Sequence, residues 1–385
     1  MKTNWKVILV VSVLLALILA ACQTATPAET PAPVGPADTP ADPAAPADTP
    51  VPLEPEPGET GGFVVPEELR GTEIVIYSSF PDEQIAEWAG PFTELTGIRV
   101  LNVVISSGEG LSRIRAEATN PQADFWLSVR GALLQDALES DPPLIIEYKP
   151  RTVDEIAPIY QYPDSTFFTG VGTYPLVIFY NEQVLQEEGL DVPETYEDLL
   201  DPQYRGRILM PHPGTSGTAF SAITTWLQIY GEEEGWEYIR NLAQNVDQFT
   251  RSGRAPQNLV AQGEYPIGIG FFDAVYYLGV EGYPIVAVFP TPLFGEPFSA
   301  QVVRGARNEE GAKLFFDYLL TAEAQAVLPR YGTYPVRDDV APPEGYPPLS
   351  ELDVFDYDWQ HWGAQRDEIL DRFIAETQVE IPPEE

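Results

Sequence analysis

Short apolar, β-branched segments alternate with amphipathic segments along most of this chain, and this alternation strongly limits the folds available to it. Residues 73–77, 99–105 and 123–129 are predicted strands, because each is a short run of mainly β-branched or aromatic residues. The two segments between them carry apolar residues three and four positions apart, which predicts helices. Strands that alternate with helices in this way favour an α/β fold with a mostly parallel sheet.

The alternation breaks once and then restarts, which predicts two lobes. Residues 169–180 form an extended, glycine-punctuated segment, and residues 291–298 lead back out of a second set of strands and helices. We interpret these two segments as the crossings between the lobes. The first lobe then comprises residues 63–172 and 296–385, and the second comprises residues 173–295, since a folded part of this length suggests two lobes.

The beginning of the chain predicts export, attachment to a membrane and a tether. A basic start, an apolar run and small residues fill residues 1–22, which is the layout of a secretory signal. Cys22 is the only cysteine, and it ends a Leu-Ala-Ala-Cys run that is similar to the lipobox at which bacterial lipoproteins are acylated. The alternative is a plain cleavable signal with an incidental cysteine. Residues 23–62 are mainly Pro, Ala, Thr, Asp and Glu, so we expect a disordered tether that reaches up to about 100 Å.

The charge and the reactive side chains of the chain exclude several functions. A formal net charge of −38 does not fit a nucleic-acid partner. The only histidines are His212 and His361, and the chain has neither a Gly-x-Ser-x-Gly elbow nor the spacing of His/Cys metal ligands. We therefore expect no enzyme and no cofactor. A secreted hydrolase with paired carboxylates stays open as an alternative, because acidic residues are abundant.

Three stretches place small polar residues between a predicted strand and a helix start, where backbone N–H groups point outward. They are candidate contacts for an oxyanion and comprise Ser78 and Ser79, then Ser107, Gly108 and Glu109, and then Ser216, Gly217 and Thr218. Each has a structural alternative. Ser106 and Glu109 have the spacing of a capping box, and Ser216 fits an ordinary N-cap.

Arginines near predicted helix starts are candidate cationic contacts, because a guanidinium group suits phosphate or carboxylate. Arg130 follows the third predicted strand, and Arg251 with Ser252 precedes a predicted helix. Solvent-exposed arginines are the alternative. Thr173 in the first crossing and Asp273 at a later helix start complete the candidate ligand contacts. Asp273 either accepts from an amine or hydroxyl of a ligand or caps its helix.

The order of short motifs along the chain resembles one protein family. The motifs are YSS at 77–79, SGE at 107–109, RIRAE at 113–117, NPQAD at 120–124, YNEQVL at 180–185, YRGRILMP at 204–211, SGTA at 216–219, AQGEYPIGIGF at 261–271, RGARNEEGAKLFFDYLLTAEAQ at 304–325 and YGTYPVR at 331–337. Together they resemble the type II periplasmic solute-binding proteins of ABC importers. Within that family they are similar to the branch of ferric-iron, aminoalkylphosphonate and sugar-phosphate binders, over residues 71–339.

This resemblance implies two Rossmann-like lobes with mixed sheets, joined by a two-stranded hinge, that close over a ligand. Together with the lipobox-like run at Cys22, it predicts an extracytoplasmic, lipid-anchored monomer whose partners are a small ligand and an ABC permease in the membrane. A sensory protein that presents its ligand to a receptor is an alternative from another class.

The expected cargo depends on the helix start after residue 271. Iron binders of this family carry two adjacent tyrosines there, whose phenolates suit a hard trivalent cation. The matching positions here are Phe272 and Asp273, which favours a phosphonate, a phosphate ester or a similar polar anion. The alternative is ferric iron, with four oxygen ligands from Tyr77, Glu109, Tyr276 and Tyr277.

Overall fold

The structure is a computed structural model that describes residues 64–129, 131–162 and 165–383. The predicted signal, the Cys22 anchor, the tether and the candidate Arg130 lie outside the described residues. Within the described ranges, no helix combines the length and the apolar composition that a membrane span requires.

The first lobe begins with three parallel strands and their helices. In chain order these are β1 (Glu73–Ser78), α1 (Asp82–Thr96), β2 (Arg99–Val104), α2 (Ser107–Ala116), β3 (Phe125–Val129) and α3 (Gly131–Glu139). β1 lies between β2 and β3 and is parallel to both. α1 buries Ile85, Trp88 and Phe92 at the predicted helical spacing and ends at Gly97. The predicted strands and helices of this region are therefore present.

The second lobe is also an α/β unit. Its elements are β4 (Gly172–Asn181), α4 (Glu182–Glu188), β5 (Ile208–Pro211), α5 (Gly217–Tyr230), α6 (Glu232–Ala243), β6 (Val246–Thr250), α7 (Ala255–Ala261), β7 (Ile267–Phe271), α8 (Phe272–Val280) and β8 (Ile285–Val288). β5 is parallel to β6 and β7, whereas β4 is antiparallel to β7 and β8. Gly268 of β7 leaves room for the ring of Phe179, since a Cβ there would lie 2.3 Å from that ring. Close packing of β4 on β7 thus depends on this glycine.

Two antiparallel strands connect the lobes. Residues 172–175 of β4 pair with residues 295–298 of β9 (Gly295–Val302). Beyond this short ladder, β4 continues beside β7 in the second lobe, and β9 continues beside β3 in the first. The resulting strand path is β2-β1-β3-β9-β4-β7-β5-β6, with β8 on β4. The α/β class, the mixed sheet and the two-stranded hinge implied by the resemblance are confirmed.

The segment after β9 first returns to the first lobe. α9 (Glu309–Leu319) and α10 (Ala322–Gln325) pack there, where Trp88 Nε1 of α1 donates to the carbonyl of Ala324 at 2.7 Å. α11 (Trp359–Ala364) also packs there, with the ring of Trp359 stacked 5.4 Å from that of Phe168. Short 3-10 turns complete the structure at Glu67–Leu69, Val153–Glu155, Pro158–Tyr160, Glu197–Leu200, Pro202–Tyr204, Leu328–Tyr331 and Leu349–Glu351.

The last helix, α12 (Arg366–Thr377), packs on the second lobe. Its Phe373 ring lies 5.4 Å from that of His212, and its Arg372 pairs with Glu232 of α6 at 2.6 Å. The predicted grouping of residues 296–385 with the first lobe does not fit these contacts. An amphipathic pattern predicts that a helix has a buried face, but it does not identify which lobe covers that face.

Candidate functional site

A cavity of about 650 Å³ lies between the two lobes beside the hinge. Its lining comes from the β1–α1 junction, from the hinge strand β4, from the second lobe around α7 and α8, and from the turn before residue 334. The lining residues are Ser79, Phe80, Pro81, Glu83, Gln84, Tyr174, Arg254, Asp273, Tyr277, Tyr331 and Thr333. Small-molecule sites in proteins usually have volumes of about 300–1,000 Å³, so this cavity has room for an organic ligand.

The two serines predicted after β1 have different surroundings. Ser79 is exposed and lines the cavity. Ser78 is buried, and its Oγ lies 2.8 Å from Oδ1 of Asn102 on the neighbouring strand β2. The hydroxyl of Ser78 therefore holds β1 to β2, and only Ser79 of the predicted pair faces the cavity.

The start of α2 follows the structural alternative. Ser106 caps this helix, and its Oγ accepts from the backbone N–H of Glu109 at 3.2 Å. Ser107, Gly108 and Glu109 form the first helical turn, and none of the three is among the residues that line the cavity.

Arg254 and Asp273 form the charged part of the second-lobe wall. Asp273 lies in the first turn of α8, directly after β7, and its Oδ2 lies 2.6 Å from an Nη of Arg254. Arg254 ends the turn before α7, where its backbone N–H donates to Ser252 Oγ at 3.2 Å. The predicted Arg251 points elsewhere, because its guanidinium donates to the carbonyl of Pro382 at 2.9 Å. The structure thus places Asp273, but not Arg251, in the cavity wall.

The start of α5 lies behind the turn that carries Arg254. A Cβ on Gly253 would lie 2.8 Å from Ser216 Oγ and 3.2 Å from Thr218 Oγ1, so both hydroxyls touch this turn. Ser216 occupies the N-cap position without forming a side-chain capping bond. Ser216, Gly217 and Thr218 do not themselves line the cavity. They contact the backbone next to Arg254.

Neighbouring residues of the hinge strand face opposite sides. Tyr174 lines the cavity, and its ring stacks on that of Phe298 at 5.2 Å. The predicted Thr173 is fully buried, and its Oγ1 faces Gly295 of β9, where a Cβ would lie only 2.8 Å away. Because side chains alternate along a strand, Tyr174 rather than Thr173 reaches the cavity.

The four side chains of the iron alternative do not converge in this structure. The hydroxyl of Tyr77 donates to Glu117 at 2.9 Å, and burial together with Glu117 raises the pKa of Tyr77 to about 12, which disfavours the phenolate. Tyr276 is buried against Phe272, Glu109 is exposed on α2, and Tyr277 alone lines the cavity. The described part of the chain also holds no group of three or more His, Cys, Asp or Glu side chains suited to a metal ion.

Residues 135–362 match the family of bacterial extracellular solute-binding proteins. The chain belongs to this family. Proteins of this solute-binding family bind small ligands outside the cytoplasm and interact with ABC permeases, so the chain serves solute transport, as predicted.

Proteins similar to this chain are named for different cargoes. The chain is 27% identical to a putative 2-aminoethylphosphonate-binding periplasmic protein of Salmonella typhimurium, over 65% of this chain and 73% of that protein. It is 28% identical to iron uptake protein A1 of Synechocystis, over 69% of this chain and 76% of that protein. The structure is similar to the periplasmic binding protein AfuA of Actinobacillus pleuropneumoniae with bound fructose 6-phosphate, with a TM-score of 0.68, 28% identity and coverage of 80% of this chain and 99% of that one.

Several cavity residues of this solute-binding protein were not predicted. Their side chains supply rings, an amide, hydroxyls and a guanidinium, and they are Phe80, Gln84, Tyr174, Arg254, Tyr331 and Thr333. The sequence did point to the region of Arg254, because this residue lies three positions after the predicted contact Arg251 in the same R-S-G-R turn. No comparable pattern marks Gln84 or Tyr174, whose exposure to the cavity depends on how the lobes meet.

Proposed function

We propose that this protein captures a small organic phosphonate or phosphate ester in the interlobe cavity and delivers it unchanged to an ABC permease. The observation that carries the proposal is that Arg254 of the second lobe lines the same cavity as Ser79 of the first lobe. A guanidinium group has five N–H donors, so the ion pair with Asp273 leaves donors for ligand oxygens. The side chain of Arg254 is 68% exposed, so these donors are accessible from the cavity.

The aromatic part of the cavity supports a ligand with a carbon skeleton. Phe80, Tyr174 and Tyr277 all line it, and the ring of Phe80 is held in place by Trp88 at 5.4 Å. Rings of this kind pack against the apolar face of an organic ligand while nearby polar groups fix its orientation. The phosphorylated and phosphonylated compounds in the names of two relatives combine both features.

We further propose that the mature protein is a monomer anchored through Cys22 and a disordered tether. The sequence of residues 1–62 supports the anchor and the tether, since it combines a lipobox-like run with a proline-rich segment. Replacement Cys22→Ser should move the protein from the membrane fraction to the soluble fraction of expressing cells. Equal membrane retention of both forms would argue against the anchor.

A thermal-shift assay of the full chain tests the cargo class. The probes are fructose 6-phosphate, 2-aminoethylphosphonate, inorganic phosphate and ferric citrate. A ligand at one hundred times its Kd stabilises the folded state by about 2.7 kcal/mol, which is readily detected as a higher melting temperature. We expect a phosphorylated or phosphonylated organic probe to raise the melting temperature most.

Two arginine variants make this assay specific to the cavity. Arg254→Gln should abolish the shift, whereas Arg207→Gln removes an exposed ion pair with Glu188 in the same lobe and should retain it. A shift with ferric citrate alone, together with a visible tyrosinate-to-iron absorption band, would replace the proposed cargo with iron. An unchanged shift in Arg254→Gln would place the ligand elsewhere.

A further inference from the structure

Gln84 is a buried side chain of the cavity wall whose amide nitrogen lacks a hydrogen-bond partner among the described residues. The residue is only 3% exposed, and its Nε2 has no partner among the described residues. A buried donor without an acceptor is destabilising, and natural proteins retain few such groups. The position of Gln84 in the cavity lining suggests what its missing partner is.

The usual structural role of glutamine at this position is not available to Gln84. It occupies the third position of α1, where a glutamine often binds back to the backbone N–H of the N-cap residue. The N-cap residue here is Pro81, which has no N–H group. The helix start therefore does not explain why an amide is buried at this place.

Other buried glutamines of the first lobe have paired amide nitrogens. Nε2 of Gln301 donates to the carbonyl of Phe167 and to Ser299 Oγ. Nε2 of Gln325 donates to the carbonyls of Val171 and Leu319, and its Oε1 accepts from the backbone of Val336. Gln84 differs from both in its unpaired donor and in its position on the cavity.

We propose that Gln84 is a cargo-selecting residue whose Nε2 donates to an oxygen atom of the bound solute. This inference rests on the proposed function, and it adds a first-lobe donor to the second-lobe Arg254. The terminal amide torsion of a glutamine has a broad energy profile, so the amide turns toward a ligand at little cost. Donors from both walls then hold the cargo, which links its binding to the approach of the lobes.

Replacement of Gln84 by methionine, which has a similar length and volume, should have two opposite effects. Without ligand, the variant loses an unpaired buried donor, so its melting temperature should rise by about 2–4 °C. With ligand, the variant lacks a hydrogen bond to a charged or polar oxygen, so its affinity should fall about tenfold to a hundredfold. A purely structural residue would not produce this opposition.

The experiment measures melting temperatures without ligand and affinities by titration calorimetry, with fructose 6-phosphate and 2-aminoethylphosphonate as probes. Gln301→Met is the matched control, because it removes a buried amide whose nitrogen is paired and which lies outside the cavity lining. It should melt below the wild type and bind with unchanged affinity. Gln84→Glu should bind an anionic probe more weakly than Gln84→Met, because its carboxylate repels the ligand.

Two results would overturn the role of Gln84. One is a ligand-free Gln84→Met that melts no higher than the wild type, and the other is unchanged affinity in that variant. If the wild type binds neither probe, the proposed cargo class fails, but the ligand-free melting temperatures still test the role of Gln84. A higher melting temperature then supports an amide reserved for a ligand, and an equal or lower one excludes it.

Discussion

Gly332 lies between the cavity residues Tyr331 and Thr333 and packs against helix α8, so its replacement by alanine should strongly destabilise the protein. Its φ is +69°, and an added Cβ would lie 2.8 Å from the carbonyl oxygen of Asp273 and 2.8 Å from Tyr276 Cβ. The left-handed backbone costs a non-glycine residue about 1–2 kcal/mol. Overpacking against α8 adds about 1–3 kcal/mol, so Gly332→Ala should lower the free energy of unfolding by about 2–5 kcal/mol.

Gly345 provides a control with the same backbone requirement and no steric contact. Its φ is +85°, and nothing lies within 4 Å of an added Cβ. Gly345→Ala should therefore cost only the backbone contribution, about 1–2 kcal/mol. The difference between the two variants measures how tightly the turn packs on α8.

Urea unfolding followed by far-ultraviolet circular dichroism provides the measurement. Cavity residues Tyr331 and Thr333 flank Gly332, so Gly332→Ala should also weaken binding of whichever probe stabilises the wild type, whereas Gly345→Ala should not. Equal losses of stability in the two variants would refute the reasoning, because the 2.8 Å contacts would then carry no energetic weight.

Three further predictions concern pH, a buried carboxylate and salt. Burial lowers the pKa of His212, so below about pH 6.5 the unfolded chain binds a proton that the folded chain does not. The contribution of neutral His212 to stability is therefore fully present above that pH and is lost as the pH falls. His212→Gln should flatten the plot of urea midpoint against pH between about pH 7.5 and about pH 5. An equally steep plot for the variant would contradict this. Asp124 accepts from the backbone N–H groups of Val75 at 2.8 Å and Asn308 at 2.9 Å. Asp124→Asn should cost about 2–3 kcal/mol in urea unfolding, whereas the exposed Asp136→Asn should cost less than about 1 kcal/mol, and similar losses would count against this role. Finally, the net charge of −38 should repel an anionic cargo, so stopped-flow association should become faster as salt rises from about 0.01 to 0.15 M. A rate that falls with salt would show that the local field of Arg254 dominates instead.

Local sequence patterns predicted the elements of the fold because each pattern has a direct structural cause. β1 and β3 read as strands because apolar residues such as Ile74, Ile76 and Phe125 are buried on the sheet. α1 read as a helix because its apolar residues fall on one face. The hinge strands β4 and β9 overlap the two extended crossings that the sequence predicted, but their antiparallel pairing was expected only through the family resemblance. Periodicity within a segment carries no information about which distant segment pairs with it.

The candidate site was harder to predict because its residues are selected by contacts between distant segments. Arg251 and Arg254 belong to one turn and are equal candidates in the sequence. The carbonyl of Pro382 binds Arg251, while Asp273 holds Arg254 at the cavity. Thr173 and Tyr174 pose the same problem, since a one-residue change in strand phase moves a side chain to the opposite face.

The Arg254–Asp273 pair itself has a consequence for the choice of cargo. An anion that binds Arg254 competes with Asp273, whose oxygen lies 2.6 Å from the guanidinium group. Inorganic phosphate would weaken this contact and leave Asp273 facing a second negative charge, which is unfavourable in a partly enclosed cavity. An organic phosphate or phosphonate with a hydroxyl or amine group can satisfy Arg254 with its anionic oxygens and Asp273 with its donor. On our proposal, the Arg254–Asp273 pair therefore favours an organic cargo over inorganic phosphate. Its one guanidinium group binds the anion, and its carboxylate selects for a donor group on the same ligand.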